Sequence, residues 1–258
     1  MLYPFIDSRF FAFLYPVILV LSILIGYYIA EKRYKGRNRD WKASGAETSV
    51  VGIFALLLSF TFLSSGNSLK ERMANIHNET EAVAGMRRQS LFLSDSLKWM
   101  TRKYLVNYLG QQVDFNKNSR KNPSNLKKSI SDLGNIYLSG ILSYSRQSQS
   151  HLQEVQQLIL SYNNLNGLFY RNLYAYDERV PILIMVLLVA GSWLIGILIG
   201  FMNGFHQRRH YLVPFIFLML VTLCVESILD LNNPASGGIK TSYEDFSYQK
   251  AIIEQYEP

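Results

Sequence analysis

The sequence predicts an all-α membrane protein with four transmembrane helices and a helical extramembrane domain inserted between helices two and three. Three observations carry this reading. Of the 258 residues, 49% are apolar and only 17% charged, against about 25% charged in ordinary soluble domains. The apolar residues collect in long blocks, and the charges gather between them. No stretch alternates apolar and polar residues for long enough to propose a sheet. The single cysteine, Cys224, rules out an intrachain disulfide, so the fold rests on packing alone.

A bilayer core of roughly 30 Å needs about 20 apolar residues in a helix. The first span is Phe10 to Ala30, 21 residues without a charge. Its apolar run is too long for a signal-peptide core, and EKRYKGR rather than a small-residue cleavage site follows, so it reads as a retained span. The second span, Thr48 to Ser65, is shorter and holds Ser and Thr. The third runs from Val180 to Phe201, with Pro181 in its first turn, where a missing N–H does no harm. The fourth runs from Tyr211 to about Leu231 and carries Glu226 and Asp230 near its far end. The chain thus divides into 1–65, the first two spans with a basic loop; 66–179, the helical domain; and 180–258, the last two spans with a tail.

The domain reads as helices throughout. Leu69, Met73, Ile76, Val83 and Met86 sit three, four or seven apart, and Leu93, Leu97, Met100, Tyr104 and Tyr108 continue that spacing. The second span is expected to run straight out of the membrane into this helix. Gln111 to Asn125 is polar and turn-rich, with Pro123 as a breaker, and reads as a loop. Two further helical stripes follow: Leu126, Ile130, Leu133 and Tyr137, then Leu152, Val155, Ile159, Tyr162, Leu165, Phe169 and Leu173.

Short loops set orientation. The loop after span one carries Lys32, Arg33, Lys35, Arg37, Arg39 and Lys42, and the loop after span three carries Arg208 and Arg209. The other face has Arg9, Lys240 and Lys250 beside an acidic tail. The short loops are therefore expected in the cytoplasm, with both termini and the helical domain outside. The net charge of +7 is mostly this topology signal. Basic residues are scattered rather than striped, so no nucleic-acid partner is expected.

Few residues suggest chemistry. Ser192, Gly196, Gly200 and Gly204 form a helix-packing stripe of small residues at every fourth position. Its partner is either span two or four of the same chain or a neighbouring subunit. Glu226 and Asp230 share a face of span four, and ionisable groups in a span point to a polar path or a partner. Water at the outer surface is the competing explanation, and for Asp230 a role at the helix end is expected. His206 and His210 have i, i+4 spacing, but the arginines between them disfavour a metal. Cys224 reads as an apolar filler. No acid, base, nucleophile or metal constellation is visible, so no enzyme activity and no cofactor are expected.

Three stretches carry a resemblance. Span two and its continuation, VVGIFALLLSFTFLSSGNSLKERMANIHNETEAVA, lead into a charged helix where Glu79 and Ala82 fit a Glu-Ala-Asn-Ala-Ile-like motif. Arg179 precedes Pro181 at the start of span three. Asp230-Leu231-Asn232-Asn233-Pro234, followed by Gly237 or Gly238, is similar to an Asp-Leu-Asp-x-Pro…Gly ending of span four, with Asn232 in place of the second acid. The chain resembles the prokaryotic bestrophin-like membrane proteins. That resemblance implies a place in the bacterial inner membrane and kinship with bestrophins, pentameric anion channels with a hydrophobic neck on the second span. Phe54, Phe60 and Phe62 lie on that span here. Bestrophins keep their large insert in the cytoplasm, whereas the charges of this chain put it outside. The expectation is a homo-oligomeric, ion-conducting protein in contact with lipid and inorganic ions. The rival is a non-conducting sensor or scaffold whose helical domain binds a ligand or protein. It is favoured by the size of the insert and by the lack of a charged or carbonyl-lined filter signature.

Overall fold

The computed structural model describes residues 8–34, 45–117, 123–146, 151–205, 211–234, 238–239 and 241–255. Every regular element among them is a helix: α1 (Arg9–Tyr34), α2 (Ala46–Ser90), α3 (Asp95–Lys117), α4 (Pro123–Ser145), α5 (His151–Asp177), α6 (Ile182–Phe205), α7 (Leu212–Asn232) and α8 (Glu244–Gln255). Among the described residues, four stretches are long and apolar enough to cross a membrane; they lie in α1, in α2, in Leu152–Phe205 and in α7. Within the third stretch the uncharged run is α6. The second span does continue into the next helix, since α2 is unbroken over 45 residues.

The chain forms two compact units. Unit 1 comprises Met1–Ser68 and Arg179–Ile239; unit 2 comprises Leu69–Glu178 and Lys240–Pro258. By sequence the C-terminal tail groups with the last two spans. In the structure residues 240–258 belong with the helical unit. The reason is α8, an amphipathic helix within what reads as a tail. Ser242 Oγ accepts the Glu244 N–H at its start, as a helix-start hydroxyl does. Tyr243, Phe246 and Ile253, at helical spacing, are buried in the core of unit 2.

In unit 1, α6 packs along α1, and α7 packs against both. The buried core includes Phe11, Tyr15, Leu19, Phe54, Met185, Leu188, Val225 and Ile228. Pro181 opens α6 by giving its carbonyl to the N–H groups of Ile184 and Met185. In unit 2, α3 packs on α4 and α8, and α4 on α5. Its core is aromatic: Tyr104 stacks on Tyr137 with centroids 4.6 Å apart, and Tyr162 tilts against both.

The loop expected over Gln111–Asn125 is shorter than its composition suggests. Gln111 to Lys117 belongs to α3, and α4 begins at Pro123. Residues 118–122 lie outside the described residues. Two physical causes extend the helices. Gln112 is buried and bonded, and Val113 and Phe115 pack on the core. Pro123 occupies the first position of α4, where proline starts a helix rather than breaking one.

Candidate functional site

Three buried polar side chains of unit 2 converge on one carboxylate. Glu79 lies on the same face of α2 as Ile76, Val83 and Met86, at helical spacing. That face is buried, so the helix carries the carboxylate into the core, where it is fully buried. Oε1 accepts the Tyr108 hydroxyl at 2.5 Å and the Gln112 amide at 2.7 Å, both from α3. Oε2 accepts the Asn172 amide of α5 at 2.8 Å. All three donors are neutral, and among the described residues no basic side chain pairs with Glu79. Burial pushes its carboxyl up to about 7, against the opposing pull of the Tyr108 and Asn172 hydrogen bonds.

The same face of α2 carries other buried polar groups. Arg72 donates through Nε to the Ala175 carbonyl at 2.9 Å and through Nη2 to the Glu178 carbonyl at 2.7 Å. It thereby satisfies carbonyls at the end of α5, where a cation is favoured. Asn75 is buried one turn before Glu79, and its Nδ2 has no hydrogen-bond partner among the described residues. Thr80 donates to the Ile76 carbonyl of its own helix.

In unit 1 the sequence candidates fall into two groups. Asp230 sits at the last turn of α7, and its two oxygens accept the N–H groups of Gly238 and Ile239. Asn232 Oδ1 accepts the Val180 N–H at 2.8 Å, tying the end of α7 to the start of α6. Asn233 and Pro234 are buried beside it. These bonds give Asp230 and Asn232 separate structural roles at the end of α7. Glu226, one turn earlier, is half-buried. The two carboxylates share a helix and differ in role, because that of Asp230 is occupied by backbone N–H groups.

The small-residue stripe packs against α1 of the same chain. A Cβ at Gly196 would collide with Ser22 Oγ, one at Gly200 with the Ile23 carbonyl oxygen, and one at Gly204 would lie 2.6 Å from the Ala30 Cβ. From the other side, a Cβ at Gly26 would strike the Ile197 carbonyl. Ser192, at the head of the stripe, accepts the Tyr15 hydroxyl at 2.9 Å and donates to the Val189 carbonyl. Ala82 is half-buried against the core of unit 2. His206, His210, the two arginines between them, Gly237 and the basic loop residues Lys35, Arg37, Arg39 and Lys42 lie outside the described residues.

Sequence reasoning singled out Glu79 only through the family motif and missed Arg72, Tyr108, Gln112 and Asn172. One signal was available. Glu79 falls three, four and seven residues from Ile76, Val83 and Met86, so a strict reading of the stripe places a carboxylate among apolar neighbours.

Helices long and apolar enough to span a bilayer define an integral membrane protein. The bestrophin-like domain matches residues 13–246, and the chain belongs to the bestrophin-like family. Solved structures share its fold. A leucine-to-alanine variant of a membrane protein superposes with a TM-score of 0.70 at 13% identity, covering 95% of this chain and 98% of that one. A tryptophan-to-alanine variant of a bacterial bestrophin homologue from Klebsiella pneumoniae gives 0.69 at 14% identity, covering 95% and 94%. Another structure of a bacterial bestrophin homologue from that organism gives 0.67 at 12%, covering 97% and 100%. No curated protein matches the chain.

Proposed function

We propose that the chain is one subunit of a homo-oligomeric, ion-conducting protein of the bacterial inner membrane. The observation that carries this reading is the family match over residues 13–246, joined to a fold shared with bacterial bestrophin homologues over nearly the whole chain. The spanning part of α2 supports it. Ile53, Leu56, Phe60 and Leu63 are exposed around that segment, which leaves α2 room to contact lipid or a neighbouring subunit. The candidate polar path is the half-buried Glu226 of α7. Residues 66–179, most of unit 2, are the extramembrane domain inserted between spans two and three. It lies outside the cell, with the short basic loops in the cytoplasm, because short-loop Lys and Arg stay inside.

The purified chain in detergent is expected to run as a multiple of its 29.7 kDa mass and to pass ions in liposomes. Glu226→Gln removes charge at nearly constant volume, so it should change conductance or ion preference while leaving assembly intact. Flux unaltered by the substitution from pH 5 to 8 would remove Glu226 from the path. For orientation, single cysteines at Lys35 and Asn118 are placed in a Cys224→Ala background. An impermeant maleimide should label only the Asn118 site in intact cells; the reverse pattern would put unit 2 in the cytoplasm.

A second reading has its own support. A surface groove of about 490 Å3 is lined by Asn78, Glu81 and Arg88 of α2 and Ser161, Asn164 and Leu168 of α5. Its volume suits a small molecule, as a sensor would require. A confirmed oligomer without flux of anions or cations would favour that reading.

A further inference from the structure

We propose that Glu79 and its three neutral donors form a proton-binding site in unit 2, and that filling it changes how α2 is bonded to α5. The inference concerns the packing of unit 2 and stands whether or not the spans conduct.

The geometry fixes where the proton goes. Both acceptor positions of Oε1 are in use, by Tyr108 and Gln112. Oε2 takes one bond, from Asn172 Nδ2, and keeps a second lone pair. The proton therefore binds Oε2. A protonated Oε2 becomes a donor, and the amide N–H opposite it is no longer the matching group. Asn172 must turn its amide and present Oδ1, so that Glu79 donates where it accepted before. The α3 side of the site keeps its bonds to Oε1. One proton thus reverses the direction of the hydrogen bond between α2 and α5 and leaves the bonds between α2 and α3 in place.

The groups around the site leave Glu79 as the one that changes charge there. From α3, Tyr104 and Tyr108 face it, and burial raises both phenols further above neutrality, so they stay protonated. From α5 comes the amide of Asn172, with Tyr176 nearby, and Tyr243 before α8 lines the same small recess. On α2 itself, Arg72 is bonded to the α5 carbonyls. His77 lies on the exposed side of α2, between Glu81 and Asp245 of α8, and needs a separate control.

The sign follows from burial. The native carboxyl keeps its proton up to about pH 7, whereas an unconstrained one releases it near 4.5. The folded state then binds more protons than the unfolded state between those values, so this group's contribution falls as pH rises across that window. Gln is the protonated mimic, since its amide can donate from the Oε2 position to a turned Asn172.

The test uses the full chain in detergent, with infrared difference spectra and thermal melts between pH 5 and 8. The wild type should gain the C=O band of a protonated carboxyl as pH falls through about 7, and should melt lower at pH 8 than at pH 5. Glu79→Gln should lack that band and lose most of the pH dependence. His77→Gln should keep both. Tyr108→Phe removes a donor to the anion, so it should move the midpoint of the band to higher pH. A band that persists in Glu79→Gln, or a wild-type midpoint near 4.5, overturns the proposal. If Glu79→Gln does not fold, Tyr108→Phe decides: an unmoved midpoint overturns the proposal.

Discussion

The two units solve the problem of joining helices in opposite ways. In unit 1 the α1–α6 contact is made by taking side chains away. Gly26 and Gly200 bring backbone onto backbone, Gly196 and Gly204 make room for Ser22 and Ala30, and a buried hydroxyl pair, Tyr15 and Ser192, links the two helices. In unit 2 the core is made by adding large side chains. Tyr104, Tyr108, Tyr137, Tyr162 and Phe169 fill it, and a carboxylate sits among them. With unit 2 outside the bilayer, as proposed above, the difference follows from the solvent. Lipid tails are as apolar as the side chains they meet, so burying a leucine there gains little, and close backbone packing supplies the attraction. Water drives large apolar groups inward at about 25 cal/mol per Å2, and the aromatic rings bring polar tips that can bond a buried anion.

The same substitution at two glycines should break this comparison if it is wrong. At Gly200 a methyl group meets the Ile23 carbonyl and its backbone neighbours, which cannot move without parting the helices. Gly200→Ala should therefore cost about 3 kcal/mol or more, at the upper end for overpacking. In a chain of this size that lowers the melting temperature by roughly 6–12 °C. Thermal melts in detergent check it.

The smaller effect is expected at Gly134 on α4. There the methyl group meets the Tyr162 hydroxyl, the far end of a side chain that can shift. Alanine also gains about 1 kcal/mol over glycine inside a helix. Gly134→Ala should change stability by about 1 kcal/mol or less, in either direction. Equal losses at the two positions would mean that the span contact is no tighter than the aromatic core.

The stripes read from sequence located much of unit 2 correctly. Leu97, Tyr104 and Tyr108, Leu126, Ile130 and Tyr137, and Val155, Tyr162, Leu165 and Phe169 are all buried. The first stripe reads too apolar. Met73, a member by spacing, is 53% exposed, while Arg72, Asn75, Glu79 and Thr80 are buried. Hydrophobic spacing counts only apolar residues, so it slides to the nearest one when the true face is polar. The glycine stripe was legible, but its partner was not. Spacing marks which face packs closely and says nothing about which helix arrives there, and Gly26 of α1 is the complementary notch.

What the sequence determined by itself was the kind of molecule. Uncharged runs of 21 and 22 residues satisfy their backbone groups as helices, wherever they end up. The bestrophin-like ending of α7 was legible because Asp230, Asn232 and Pro234 lie within five residues, and Asp230 bonds only eight and nine residues on; the partner of Asn232, Val180, lies 52 residues away and only the fold reveals it. The tertiary structure alone decided the rest. Glu79 acquires Tyr108, Gln112 and Asn172 from 29, 33 and 93 residues away along the chain, and α8 enters the core of unit 2 across the whole of the last two spans. Such bonds depend on which helices are neighbours, and no local periodicity records that.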